Sequence, residues 1–138
     1  MPINSVLQIV NEIDRMPVLS LASVQSALGL ELRDTHADSP VLRIYQGKNE
    51  HWANVELRLL RAEGKTGAML TLAPAEPIPM DLLVNEFGKQ PALSPPNPRA
   101  GDRATMAYEY QRPNGRLSLV FRDFQHYFVE SIIFDRLP

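Results

Sequence analysis

The chain has 138 residues, 44% of them hydrophobic and 22% charged, with a net charge of −2, and this is the composition of an ordinary globular domain large enough to bury a core. It has no cysteine, which excludes disulfides, thiolate metal sites and cysteine nucleophiles. Residues 1–73 and 74–138 each carry seven Lys/Arg and eight Asp/Glu, so the basic face or tail of a nucleic-acid binder is missing.

The opening residues Met1-Pro2-Ile3-Asn4 hold no basic region and no apolar run, and no segment has the length of a membrane span. The expectation is a protein without a leader, placed in the cytoplasm. Asn4 or Ser5 is positioned to cap a first helix running to about Arg15, because Ile3, Val6, Leu7, Val10 and Ile13 recur at helical spacing on one stripe. Pro17 breaks it. Ser20 then caps a short second helix through Leu28, with Leu21, Val24 and Leu28 inward and Gly29 as its stop. Residues 33–40 (RDTHADSP) read as a polar loop, Val41 to Gln46 as a strand, and 47–53 as a loop carrying Trp52. Asn54 to Arg61 and Ala68 to Ala73 read as two strands around the turn 62–67.

The proline-spaced connector PAEPIP (74–79) is the clearest boundary. Asp81 is placed to cap a helix that carries Leu82, Leu83, Val84 and Phe87 and stops at Gly88. A proline-rich loop (91–103) follows, then a strand from Thr105 to Gln111, in which Tyr110-Gln111 echoes Tyr45-Gln46. Asn114-Gly115 has the composition of a type I′ hairpin turn. Beyond it, Leu117, Leu119 and Phe121 alternate with polar residues, and Phe128, Glu130, Ile132 and Phe134 share one face of a return strand.

A shift of 62 positions lays Val55, Leu57 and Leu59 on Leu117, Leu119 and Phe121, and Leu70 and Leu72 on Ile132 and Phe134. The reading is therefore one domain over 1–138, of the α+β class, built from two similar helix-plus-three-strand units, about 1–73 and 74–138. Together they are expected to form one antiparallel sheet of about six strands with the helices on one face. The other face should then present Glu56, Arg58, Leu60, Met69, Thr71, Arg116, Ser118, Val120, Arg122, Ser131 and Ile133, joined by Arg43 and Tyr45. Several large aliphatics on such a surface point to a binding face, or to cover by a loop or by a second copy of the chain.

Reactive chemistry is hard to find. His36, His51 and His126 are far apart in the sequence and none has metal-ligand spacing. No nucleophile elbow and no phosphate-cradling glycine loop occurs. Asp34 and Asp38 flank His36, and Glu56 and Glu109 fall on strands, but solvated roles outweigh catalytic ones for all four. The reading is a non-enzyme without metal or cofactor. Aromatic residues near turns suit recognition instead. Phe124 and Tyr127 stand beside His126 at a hairpin end, and Trp52 is either such an anchor or a cap on the core.

The two Gly-terminated helices (LASVQSALG and MDLLVNEFG) and the paired strand sets give a plan that resembles the β-lactamase inhibitor proteins and the related repeat unit of outer-membrane assembly lipoproteins. That resemblance implies inhibitory or scaffolding proteins that bind through an open sheet face and its loops. The absence of a leader and of cysteines departs from the extracellular members, and a mildly acidic binder of this plan resembles bacterial immunity proteins. The implied function is a toxin-neutralising inhibitor acting by occlusion, monomeric or weakly dimeric, that binds neither nucleic acid nor membrane. The implied contacts are Tyr45, Arg58, Arg116, Arg122, Phe124 and Tyr127. The alternative is a secretion chaperone or adaptor, which predicts a stable homodimer.

Overall fold

The computed structural model describes residues 3–62, 64–89, 91–94, 105–122 and 127–138. The first helix, α1, spans Ile3–Arg15 and so begins one residue before Asn4. It buries Val6, Val10 and Ile13, one residue per turn. After Pro17, Ser20 opens α2 (Leu21–Leu28) with a reciprocal capping box: the Ser23 amide donates to Ser20 Oγ and the Ser20 amide donates to Ser23 Oγ. Gly29 closes α2 at φ 60°, a left-handed conformation that glycine adopts without steric cost.

The strands are β1 (Arg33–Asp34), β2 (Leu42–Gly47), β3 (Trp52–Ala62), β4 (Lys65–Pro74) and β5 (Ile78–Pro79). Then come α3 (Met80–Phe87), β6 (Ala92–Ser94), β7 (Thr105–Arg112), β8 (Gly115–Arg122), β9 (Phe128–Val129) and β10 (Ser131–Asp135). Eight of them form one antiparallel sheet in the order β1-β2-β3-β4-β10-β8-β7-β6, and β5 pairs with β9 as a separate ribbon.

This corrects the expected α+β plan of two similar helix-plus-three-strand units and about six strands. The sheet has eight strands, with a separate two-stranded ribbon beside it, while the three helices fall where the sequence places them. The additional strands come from segments whose composition reads as loop. Arg33–Asp34 pairs with Gln46 and Tyr45, and Ala92–Ser94 pairs with Glu109, Tyr108 and Ala107. Edge strands this short bury little, so hydrophobic alternation does not mark them.

The offset of 62 residues is visible in the registers of the central strands alone. Leu57 faces Leu70 as Leu119 faces Ile132, and Val55 faces Leu72 as Leu117 faces Phe134. At the junction, Leu70 faces Phe134 and Leu72 faces Ile132, so the shift exchanges the two pairs. Farther out, Tyr45 faces Leu57 while Tyr108 faces Leu119. The counterpart of Tyr45 is therefore Tyr108, where sequence similarity pointed to Tyr110.

Residues opposite one another in an antiparallel ladder share a face. The inward rows of the sheet join Val10, Ile13, Val24, Leu28 and Leu83 from the helices in one hydrophobic cluster. Trp52, 1% exposed, belongs to this core; it opens β3 rather than standing in a loop. Each such side chain contributes roughly 1.5–3 kcal/mol by leaving water.

Three local expectations change. Pro79 rather than Asp81 occupies the N-cap position of α3, and the Met80 amide donates to the carbonyl of Tyr127. The β7–β8 turn is Pro113-Asn114, closed by the pair Arg112 and Gly115. Asn114 has no positive φ, which rules out type I′, and proline in the second place with glycine in the fourth is the composition of a type I turn. The return strand breaks at Glu130, because Ile78–Pro79 captures Phe128–Val129. Val129 is thereby buried and Phe128 is left 54% exposed, so Phe128 does not share the inward face of Ile132 and Phe134.

Candidate functional site: the helix-free face of the sheet

The register that buries Leu57, Leu70, Leu117 and Ile132 sends their neighbours in sequence to the opposite face. One row across that face runs Ile44, Arg58, Met69, Asp135, Arg116, Gln111. The next runs Gln46, Glu56, Thr71, Ile133, Ser118, Glu109. No described helix contributes to these rows.

Carboxylates beside the arginines hold them within the plane of the sheet. Arg116 Nη2 lies 2.8 Å from Asp135 Oδ2 on the adjacent strand, and its Nη1 lies 3.9 Å from Glu109 Oε2. Arg58 Nε lies 3.3 Å from Glu56 Oε1, two residues back on the same strand and face. Arg122 Nε lies 3.5 Å from Glu130 Oε1. Such half-exposed pairs add little stability, about 0.2–1 kcal/mol each. Their effect is orientation: each guanidinium is fixed with donors left over. Between the pairs lie the half-buried aliphatics Leu42, Ile44, Leu60, Met69, Val120 and Ile133.

Arg58, Arg116 and Arg122 thus lie on the face expected of them. Tyr45 does not. It faces Leu57, and Arg43 faces Leu59, so both lie on the helix-covered side, where Tyr45 packs half-buried against the core. Strand β2 is apolar at Leu42 and Ile44 on one face and at Tyr45 on the other, so its own alternation does not say which side is inward. Phe124 and His126 lie outside the described residues. Tyr127 is exposed in the turn before β9. Asp135 and Glu130 were missed by sequence reasoning, since only cross-strand register reveals which arginines they reach.

The groups weighed for catalysis are not brought together. Glu56 and Glu109 share the helix-free face but are separated by four strand spacings, roughly 19 Å. His51 Nε2 lies 3.4 Å from Glu50 Oε1 and borders a small cavity of about 60 Å³ with Trp52 and Glu76. The Asp34 carboxylate accepts from the amide of His36 at 2.7 Å, an Asx turn that accommodates the positive φ of His36. Among the described residues no group of three or more His, Asp or Glu is arranged to hold a metal ion. No helix among them is long and apolar enough to cross a membrane.

No protein-family model or curated protein matches the sequence, and no solved structure matches the fold.

Proposed function

We propose that the chain is a protein-binding inhibitor that engages its partner through the helix-free sheet face, and that the partner is a toxin domain whose active site it occludes. The observation that carries this reading is the arrangement of the face. Arg58, Arg116 and Arg122 are pre-ordered by Glu56, Asp135 and Glu130, with Ile44, Met69, Val120 and Ile133 between them. Ordered arginines beside aliphatics are a composition enriched in protein interfaces, and pre-ordering lowers the entropic cost of association. The three arginines of the face stand beside four carboxylates, Glu56, Glu109, Glu130 and Asp135, which suits a protein surface better than a polyanion.

The test is co-expression with the product of the adjacent upstream gene. The wild-type chain should abolish its toxicity and co-purify with it. The variant R58E/R116E/I133E, its folding verified by circular dichroism, should do neither. A triple variant that protects as well as the wild type would sink the proposal, as would a neighbour that is harmless when expressed alone.

A further inference from the structure

A second opening lies at the other side of the molecule, where the loop before α2 leans over the β3–β4 end of the sheet. It is a half-open groove of about 530 Å³, within the size range of ligand sites. Val18, Leu19, Leu21, Ala22, Leu59 and Tyr45 line it. Val18 is 73% exposed at its rim, an isolated aliphatic with no packing reason to be there.

The charge around the groove has one sign. Its lining contains Arg61 and Arg136 and no carboxylate, although the chain as a whole is acidic. Arg61 has no acidic partner among the described residues. Arg136 is bonded to the carbonyls of Ile13, Asp14 and Met16, while the Asp14 carboxylate is taken by Arg112 at 2.9 Å. The groove therefore offers an apolar trough beside the Arg61 guanidinium, which no carboxylate among the described residues pairs.

We infer that this groove binds an extended segment of another protein, one that places an aliphatic side chain between Leu21 and Leu59 with a carboxylate next to it on Arg61. A half-open trough leaves a hydrocarbon tail partly in water. A peptide needs only its anchor side chain covered, and its backbone stays solvated, so a peptide is the occupant that fits. This groove and the helix-free face use separate residues, so the two readings stand or fall apart.

Selection from a displayed library of random dodecapeptides on the immobilised full chain tests the inference. Enriched peptides should share Leu, Ile or Val with Asp or Glu within two positions. A22W, which fills the trough from an exposed helix position, should cut their binding at least tenfold, and R61E should do the same. V18E serves as a second obstruction should A22W fail to fold. Melting curves matching the wild type establish that the loss is local. Selection without a common motif, a basic motif, binding that survives A22W and V18E, or displacement of the trough by dodecanoate but by no peptide would each overturn it.

Discussion

Arg112 places Nε and Nη2 on a single oxygen of Asp14, at 3.1 and 2.9 Å, and so ties the end of β7 to the last turn of α1. A carboxylate there is opposed by the helix dipole. Two arginines offset it. Arg112 takes the carboxylate, and Arg136 donates to the carbonyls of Ile13, Asp14 and Met16 around the end of α1. Arg112 also lies 5.1 Å from the centre of the Phe87 ring, which brings α3 into the same junction.

Removing one member should therefore hurt more than removing both. R112M leaves Asp14, 4% exposed, as a buried charge without its partner, and the expected loss is about 3–5 kcal/mol. The double variant D14L/R112M should recover most of it. Urea unfolding of the three proteins measures both quantities. A loss below about 1 kcal/mol for R112M would show that the pair is only a surface contact.

The Tyr110 hydroxyl donates to the Gly88 carbonyl at 2.8 Å, locking β7 to the end of α3. Burial, with Tyr108 adding to it, raises its pKa above the ordinary 10.0. A folded-state value above the unfolded one means that the neutral phenol is favoured by folding. Its contribution is complete below pH 10.0 and is lost as pH climbs through the raised value. Y110F should lower stability near neutrality by about 0.5–1.5 kcal/mol. It should also flatten the alkaline decline. Tyrosinate absorbance at 295 nm, followed alongside unfolding, should show a late-titrating phenol that disappears in Y110F; a late phase left unchanged by Y110F would contradict this.

Trp52 fills the core under α1 and α3, yet its indole Nε1 finds no acceptor among the described residues. A buried donor without an acceptor costs about 1–3 kcal/mol. W52F discards that donor together with part of the ring, and the two effects oppose each other. The expected change is within about 1.5 kcal/mol. W52A should cost about 3–5 kcal/mol. Equal losses in thermal denaturation would mean that the indole nitrogen is satisfied in solution.

What the sequence makes legible follows where burial is strong. Leu57, Leu70, Leu117 and Ile132 alternate cleanly because one face of each strand is fully buried, so the sheet core and its helix layer can be read directly. Ser20 and Gly29 announce both ends of α2 through local bonding alone. What stays hidden depends on partners distant in sequence. Arg33–Asp34 becomes a strand only because Tyr45 and Gln46 lie beside it, and Val129 is inward only because Ile78 captures it. The candidate face divides in the same way. Arg58, Arg116 and Arg122 follow from parity within well-patterned strands, whereas the side taken by Tyr45 depends on the β2–β3 register, which β2 does not encode alone.

The junction of β4 with β10 carries a consequence for how the molecule is made. During synthesis β4 emerges early and β10 after every other strand, yet they are immediate neighbours at the middle of the sheet. Until β10 arrives, β4 and β8 each present an open ladder of unpaired amides and carbonyls. The incomplete chain is therefore two half-sheets with sticky inner edges, prone to pair with another nascent copy. Strand β10 is the keystone, set last, and the quality-control burden of this protein rests on its Ser131–Asp135.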